Sequence, residues 1–577
     1  MATDNSFAHV WENTFACVSF ALGAAMIAVV KSIKLEAQAR RRRIPQRLSL
    51  AAAVFCMLFA ALLGRAAEIS MTNEPQEAGP AKVERVFTPR RDVVDRNGFV
   101  LATSVPLASL YADPFFILDP TDAAHKLHSV FPHLDPVKLA ADLASDRRFV
   151  WVERHLSPEQ QEQVHQLYLP GVSFAKEYRR IYPQGSLASH VLGHVDADGN
   201  GLAGVELAMN EELVDEAAAG PLALSIDVTI QHALEAELAQ GIKEFRARAG
   251  SGVVLDSLTG EVLALASAPT FDANRPVPGD QERYFNRPVS GVYELGSVFK
   301  IFNSAIALET NSATHDMPVD ARKPLKIGKH MIKDFHAKNR VLTVSEVFKY
   351  SSNIGSTRLA LDFGKEQQRA YFEKFGLMDR SPIELREAAR PLTPSKWGDI
   401  TTATLSYGYG LSVSPLQLAE AIIPVVNGGL KMKASLRKGG RASNPERVLS
   451  PETSHHMRNM MRMVVEDGTG KRADVPGIGV IGKTGTAERA GRRGYAEREL
   501  ISSFIGAFPA AAPRYVVYMV LEGPKGNKET HGHATAGWVA APLVSRVISR
   551  MAPILGIRPQ FPDEQDDGLM LASQKVN

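Results

Sequence analysis

Cysteine is nearly absent from this sequence. The 577 residues include two cysteines, Cys17 and Cys56, and both lie in apolar segments near the N-terminus. The chain after residue 56 therefore lacks the thiols needed for a disulfide framework, a CxxC redox centre or a thiolate zinc site. A cysteine-free body is compatible with an oxidising compartment.

A large excess of one charge is also missing, since the formal net charge is +3. Seven basic residues and one acid, Glu36, lie between Lys31 and Arg47, so this stretch alone contributes about +6. The remainder is close to neutral, so the sequence does not predict a nucleic-acid partner. Hydrophobic residues make up 45% and charged residues 22%. That balance is typical of globular proteins, and the length predicts at least two folded domains.

One uncharged run, residues 48–64, is bounded by Arg47 and Arg65. Because about 17–25 apolar residues span a bilayer, we predict a transmembrane anchor there. A core helix rarely lacks charge on every face, and no small-x-small signal-peptidase site precedes folded sequence. The positive-inside rule then predicts that the basic stretch Lys31–Arg47 is cytoplasmic and that residues 66–577 lie outside.

A second apolar run, residues 15–30, has three interpretations. It is another span, an interfacial helix, or sequence from a misplaced start codon. Charge cannot decide, because a cytoplasmic basic stretch fits each of these topologies. This question stays open.

The exported part changes character near residues 219–222. Before that point, residues 91–98 predict a hairpin with an Asn-Gly turn, and residues 119–168 appear mainly helical by pattern. After it, we predict strands at residues 252–256, 261–266, 478–481, 501–508 and 515–521, and a closing helix at 538–555. This order predicts an α/β (α+β) domain with an antiparallel sheet flanked by helices. The tail, residues 561–577, is expected to be disordered.

Three short motifs occur in order: Ser297-Val-Phe-Lys300, Ser351-Ser-Asn353 and Lys483-Thr-Gly-Thr486. Ser-x-x-Lys alone is a weak signal, because it recurs at Ser173/Lys176 and Ser435/Lys438, whereas the other two motifs occur once. The ordered set is typical of penicillin-binding proteins and serine β-lactamases.

The first motif predicts a nucleophile and its base. Residues three apart on a helix share a face, so the Lys300 amine can reach the Ser297 hydroxyl. The apolar segment 298–308 predicts a buried helix with the serine at its N-terminus. Burial should lower the pKa of Lys300 and make its amine a general base. The alternative is an ordinary helix start with a surface lysine, which the apolar neighbours disfavour.

The second motif is expected on a loop opposite this helix end. Ser351 can relay a proton to the leaving amine, and the Asn353 amide can orient the substrate backbone. Without the other motifs, these residues would indicate only a helix cap or a turn.

The third motif is expected to continue an apolar strand, residues 477–482. Gly485 removes a side chain where a substrate must lie against the strand. Lys483, Thr484 and Thr486 offer donors for a peptide carboxylate. We also expect the backbone N–H groups of Ser297 and Thr486 to form an oxyanion hole.

With these residues in place, the chain resembles class B penicillin-binding proteins over residues 48–555, and the division-specific FtsI-type transpeptidases in particular. Four further segments are similar to the family: Arg91–Ala102, His190–Glu206, Ser406–Gly410 and Gly468–Gly470. One departure is Leu295, where many members have proline. The resemblance implies a penicillin-binding transpeptidase fold at residues 221–560, preceded by an elongated pedestal of the dimerisation type at residues 65–220.

The resemblance also implies the reaction. The donor would be the D-Ala-D-Ala end of a peptidoglycan stem peptide on a lipid-linked precursor or nascent strand, and Ser297 would attack the penultimate D-Ala carbonyl. An amine of a neighbouring stem would resolve the acyl-enzyme, and β-lactams would acylate the same serine. No metal or organic cofactor is expected.

The implied location is the bacterial inner membrane at the septum, with the catalytic domain on the periplasmic side. The implied partners are a SEDS-class glycan polymerase of the FtsW type and other division proteins. The sequence leaves open the acceptor amine, the oligomeric state and the β-lactam selectivity.

Four alternatives compete with this interpretation. A class A β-lactamase would carry Glu-x-x-Leu-Asn after Ser351, and a bifunctional class A enzyme would carry Glu-Asp-x-x-Phe; neither pattern is present. An intact nucleophile, base and carboxylate site argue against an idle scaffold or β-lactam sensor. Because either would still bind penicillin, turnover or cell-wall cross-linking must discriminate them from a transpeptidase. An elongation-specific class B transpeptidase shares all three motifs and stays open.

Overall fold

The computed structural model describes residues 46–71, 89–215, 217–277, 279–440, 445–491 and 494–561. The chain divides into two compact units, residues 1–86 and 87–577. In the first unit, the described residues form the helix Gln46–Met71, which contains the predicted anchor. Within the described part of the chain, no helix is long and apolar enough to cross a membrane. The apolar run 15–30 and the tail beyond Phe561 lie outside the described residues.

The second unit begins with a sheet built around one long strand, β2. Its strands are β1 (Val93–Val94), β2 (Val100–Ala112), β3 (Val150–Leu156), β4 (Val172–Ile181) and β5 (Leu222–Ala223). Strand β2 pairs antiparallel with β1, β3 and β4, whereas β1 pairs parallel with β5. The predicted hairpin at residues 91–98 is confirmed, because Val94 pairs with Val100 across the turn.

The helices of this region are Pro120–Val130, Pro136–Leu143, Pro158–His165, Ser189–Leu192, Gly204–Ala208 and Asn210–Val214. The first three begin at proline, each preceded by a residue whose side chain caps the helix: Asp119, Asp135 or Ser157. Proline has no N–H to leave unpaired at this position, and the cap accepts from the next free N–H groups.

The prediction that residues 119–168 are mainly helical is wrong at β3. Val150, Val152 and Leu156 of this strand are buried. These positions follow the period of a strand, but the polar residues Glu153–His155 stand between Val152 and Leu156, and the pairing with β2 is irregular near Leu110. The polar run concealed the strand in the sequence.

The C-terminal part of the unit contains a second sheet, which is antiparallel throughout. The remaining strands are β6 (Ala249–Asp256), β7 (Val262–Ala268), β8 (Pro318–Asp320), β9 (Leu325–Ile327), β10 (His330–Ile332), β11 (Val341–Thr343), β12 (Ile481–Gly491), β13 (Gly494–Phe508) and β14 (Tyr515–Glu522). The five-stranded sheet has the order β12-β13-β14-β6-β7. It confirms the predicted antiparallel sheet. The strand expected from Ile478 begins instead at Ile481, because Gly477 and Gly479 turn the chain with φ of 77° and 69°.

Helices cover both faces of this sheet. The helices of this part are Val228–Glu244, Gln281–Tyr284, Arg287–Ser290, Lys300–Glu309, Val344–Lys349, Asn353–Lys374, Asp399–Leu405, Pro415–Val426, Pro451–Glu466 and Ala540–Ile554, with 3-10 turns at Gly296–Phe299 and Lys471–Ala473; a further 3-10 turn, Pro114–Phe116, follows β2. Adjacent residues point to opposite faces of a strand. Val254 accordingly joins the core beneath the first and last of these helices, whereas Val253 joins the core that contains Phe302.

A buried carboxylate links three segments near the start of the first sheet. Glu206 accepts from Arg90 Nε at 2.8 Å and from Arg180 Nε at 2.7 Å. Nearby, Asn274 of the C-terminal part exchanges two hydrogen bonds with the backbone of Tyr182, each 2.9 Å long. These contacts connect the β2-centred sheet to the part of the unit that carries the three motifs.

Candidate active site

Ser297 lies in the 3-10 turn Gly296–Phe299, directly before the helix Lys300–Glu309. The helix therefore begins later than predicted, and the serine precedes its first turn. Gly296 has φ +59°, and a Cβ there would lie 2.6 Å from the carbonyl oxygen of Thr486. Glycine allows this turn to pack against β12, and Ser297 stays half-buried at the contact.

Lys300 is buried as predicted, with 1% of its side chain exposed. Its Nζ donates to Ser297 Oγ at 2.8 Å, to Ser351 Oγ at 3.2 Å and to Asn353 Oδ1 at 2.7 Å. Burial holds the pKa of Lys300 well below its ordinary value, and the positive charge of Lys483 lowers it further. The amine beside the hydroxyl is thus suited to accept a proton.

The second motif forms the turn before the helix Asn353–Lys374. Ser351 has φ 59°, and Ser352 caps the helix by accepting from the N–H of Gly355. The Asn353 amide is fixed at both ends, since its oxygen contacts Lys300 and its Nδ2 donates to the carbonyl of Lys333 at 3.0 Å.

The third motif lies within β12, the terminal strand in the order of its sheet. Lys483 is fully buried, and its Nζ donates to Ser351 Oγ at 3.1 Å and to Thr484 Oγ1 at 3.3 Å. Burial lowers the pKa of Lys483 to about 7. The structure thereby brings Ser297, Lys300, Ser351, Asn353 and Lys483 together around one hydroxyl cluster.

Gly485 lies where β12 contacts the turn Gly296–Phe299 that carries Ser297. A Cβ at this position would lie 2.5 Å from Ser503 Oγ and Val298 Cγ2, and 2.8 Å from the carbonyl oxygen of Leu295. The sequence predicts that this glycine leaves room for a substrate. In the structure, the protein's own atoms already require it.

Thr484 and Thr486 lie on the same strand but make different side-chain contacts. Thr486 Oγ1 accepts from the Ala536 N–H at 3.1 Å, so its own hydroxyl proton can be donated elsewhere. Thr484 Oγ1 lies 2.8 Å from Thr469 Oγ1. The oxyanion hole from the N–H groups of Ser297 and Thr486 stays a prediction.

Sequence reasoning missed several residues that hold these groups in place. Gly408 has φ +91°, its carbonyl accepts from the Gly296 N–H at 3.3 Å, and a Cβ there would lie 2.0 Å from the Gly296 oxygen. Gly408 and Thr469 fall in segments that resemble the family, which was the available signal. Lys333 and Asp334 fall in no such segment.

The other two Ser-x-x-Lys pairs do not form a comparable pair. Ser173 and Lys176 lie on β4, and Ser435 Oγ donates to Glu384 at 2.6 Å. Within the described ranges, no group of three or more His, Cys, Asp or Glu residues could hold a metal ion.

The arrangement has the chemistry of acyl transfer. A hydroxyl lies beside a buried amine of lowered pKa, and a second hydroxyl lies between two amines. Hydroxyl donors on the adjoining strand can bind an anionic group of the substrate. This geometry would suit a nucleophile, a base, a proton relay and an anion site.

Comparisons with known proteins agree with this chemistry. A family model described as "Penicillin binding protein transpeptidase domain" matches residues 250–548, and one described as "Penicillin-binding Protein dimerisation domain" matches residues 86–217. A Caulobacter vibrioides protein named as a probable peptidoglycan D,D-transpeptidase FtsI is 42% identical over 482 residues, covering 81% of this chain and 82% of the relative.

Two more distant proteins extend the likeness. The peptidoglycan D,D-transpeptidase FtsI of Escherichia coli K12 is 29% identical over 553 residues, covering 89% of this chain and 93% of its own. The crystal structure of penicillin-binding protein 3 from Mycobacterium tuberculosis, complexed with aztreonam, has a TM-score of 0.64 and 25% identity. That likeness covers 82% of this chain and 98% of the other.

Proposed function

The chain belongs to the class B penicillin-binding proteins, and on that premise we propose how its residues carry out the reaction. It is a peptidoglycan D,D-transpeptidase of the FtsI type that cross-links stem peptides in septal wall synthesis. We propose Ser297 as the nucleophile. The observation that carries this assignment is the 2.8 Å contact between Ser297 Oγ and the buried Lys300 amine.

Acylation begins with a proton transfer in this proposal. The neutral Lys300 amine takes the Ser297 proton as Oγ attacks the penultimate D-Ala carbonyl. The negative charge on the carbonyl oxygen is stabilised by the N–H groups of Ser297 and Thr486. Burial of Lys300 favours the neutral amine that this step needs.

Release of D-Ala requires the proton to reach its amine. Ser351 Oγ lies 3.2 Å from Lys300 Nζ and can pass the proton on as the peptide C–N bond breaks. In the second half-reaction, an amine of a neighbouring stem gives up a proton by the same route and attacks the acyl-enzyme. A new peptide bond forms and Ser297 recovers its proton.

The third motif is proposed to bind the terminal carboxylate of the donor. Lys483 supplies positive charge, and the hydroxyls of Thr484 and Thr486 supply donors, with Gly485 between them. The free proton on Thr486 supports this role, because its oxygen already accepts from Ala536. Asn353 is proposed to orient the substrate backbone. A β-lactam carries a carboxylate and a reactive carbonyl, so the same groups would bind it.

We propose that residues 65–220 form the pedestal and residues 221–560 the transpeptidase domain. Residues 48–64 are proposed to anchor the protein in the inner membrane, with the catalytic domain on the periplasmic side. The uncharged run and the basic residues before it support this topology. A SEDS-class polymerase of the FtsW type is the proposed partner. A C-terminal alkaline phosphatase fusion tests the topology, because that reporter is active only outside the cytoplasm.

Labelling of membranes with a fluorescent penicillin tests the nucleophile. The unsubstituted protein should give a band that Ser297→Ala abolishes, while Ser173→Ala, in a Ser-x-x-Lys pair outside the site, keeps it. A labelled Ser297→Ala protein would contradict the assignment. Depletion of the protein should give filamentous cells; rounded cells would favour the elongation-specific alternative.

A further inference from the structure

Two residues outside the three motifs hold the second motif in position. Lys333 and Asp334 follow strand β10 and lie against the start of the helix Asn353–Lys374. Asp334 Oδ2 accepts from Ser352 Oγ at 2.7 Å, and its Oδ1 accepts from the Ile354 N–H at 2.9 Å. Both oxygens of one carboxylate therefore bind the residues on either side of Asn353.

The geometry of this turn needs such support. Ser351 has φ 59°, a left-handed conformation that is strained for a residue other than glycine. The Ser352 hydroxyl accepts from the Gly355 N–H, so its single proton is directed to Asp334. This fixes Ser352 between the helix and the carboxylate, and it fixes the neighbouring Ser351 with it.

In its present position, the turn places Ser351 and Asn353 beside the Lys300 amine. Lys300 contacts Ser351 and Asn353 from the opposite element, and Asn353 contacts the carbonyl of Lys333. A displaced turn would separate the amine from the relay hydroxyl. Misplacement by about 1 Å can slow an enzymatic step on the order of 10²-fold.

Asp334 also contributes charge. The charged groups that affect Lys300 are the Lys483 amine and the Asp334 carboxylate. The carboxylate raises the pKa of Lys300, opposing burial and the second lysine. Its removal would therefore lower the pKa of Lys300.

We propose that Asp334 is a positioning residue for transpeptidation, which holds Ser351 and Asn353 against Lys300 through its bonds to Ser352 and Ile354. It does not contact the reacting atoms. The inference rests on the proposed role of Ser297 and Lys300, and it adds a residue from a segment that no motif marks.

The test measures the second-order rate constant of acylation by a fluorescent penicillin between pH 5 and pH 9. It uses the full-length protein in membranes and compares Asp334→Asn, Asp334→Ala and the exposed control Asp320→Asn. Asparagine keeps one acceptor oxygen and alanine keeps none. We expect the control to match the unsubstituted protein, the asparagine variant to be slower, and the alanine variant to be slowest, by on the order of 10²-fold.

The pH profile separates positioning from general damage to the fold. Both variants should move the acid limb of the profile to lower pH, because the carboxylate that raises the pKa of Lys300 is gone. A structural defect would lower the rate without moving the limb. If the alanine variant fails to fold, the asparagine variant decides.

The outcomes distinguish this inference from the proposed function. Unchanged rates and an unmoved limb in folded Asp334 variants would overturn the inference while leaving Ser297 as the nucleophile. Failure of the unsubstituted protein to label would overturn the assignment of Ser297, and the inference with it.

Discussion

Lys300 and Lys483 direct their amines at the same oxygen, Ser351 Oγ, at 3.2 Å and 3.1 Å. The lysines reach it from a helix and from a sheet strand that are far apart in the sequence. Two buried ammonium groups this close would repel each other strongly. The proposed proton transfer through Ser351 therefore requires one amine to be neutral while the other is charged.

Replacement of the base should abolish acylation without unfolding the protein. In Lys300→Ala, the Ser297 hydroxyl has no proton acceptor, and loss of general base catalysis costs about 10²–10⁴-fold in rate. Time-resolved fluorescent penicillin labelling measures this effect, with thermal unfolding as the check on folding. The exposed Lys326→Ala is the matched control. Normal acylation by Lys300→Ala would contradict the role of the base.

The pH dependence of the acylation rate should show that Lys300 acts as the neutral amine and Lys483 as the charged one. The acylation rate should rise with pH as Lys300 loses its proton, and fall above about pH 7 as Lys483 loses its own. Lys483→Arg should be slower but lack the alkaline limb, because a guanidinium stays protonated. The measurement is the second-order acylation rate against pH. An alkaline limb that persists in Lys483→Arg would show that another group causes it.

Gly408 should be essential for the position of the nucleophile. A methyl group at Gly408 would lie 2.0 Å from the Gly296 oxygen, and its φ of +91° disfavours alanine. Gly408→Ala should slow acylation and destabilise the fold by about 1–3 kcal/mol. Gly398→Ala is the matched control, since its Cβ would meet no atom within 4 Å and its φ is −120°. Equal acylation rates in the two variants would refute this role for Gly408.

The buried carboxylate of Glu206 should matter more for stability than any exposed ion pair. Glu206→Ala leaves Arg90 and Arg180 without their charge partner, and such a loss typically costs about 3–5 kcal/mol. Denaturant unfolding gives the free energy directly. Asp320→Ala, which removes an exposed partner of Arg322, should change it little. Similar losses in both variants would mean that burial does not set the cost.

The contacts of the site that depend on short sequence spacing could be predicted. Ser297 and Lys300 are three residues apart, so one helical turn brings them together whatever the rest of the chain does. The start of β12 was misjudged because the apolar run 477–482 includes two glycines that turn rather than extend. The strand β3 was missed because the polar residues Glu153–His155 stand between its apolar positions.

Other parts of the site depend on contacts that no short pattern encodes. Asp334 precedes Ser351 by 17 positions. Its carboxylate meets Ser352 only through the fold of the chain between them, which includes the strand β11. The contact between Thr469 and Thr484 likewise requires the chain after the helix Pro451–Glu466 to return to β12. Such residues are marked by three-dimensional proximity alone.

The parallel pair of β1 and β5 has a consequence for how the protein can change over evolution. Val93 pairs with Leu222, so the chain between β1 and β5 begins and ends at adjacent positions of the β2-centred sheet. Among the described residues, no strand of the sheet β12-β13-β14-β6-β7 lies between Val94 and Leu222. Insertions or deletions between these two residues can therefore change the intervening segment while the register of the sheet that carries the third motif stays as it is.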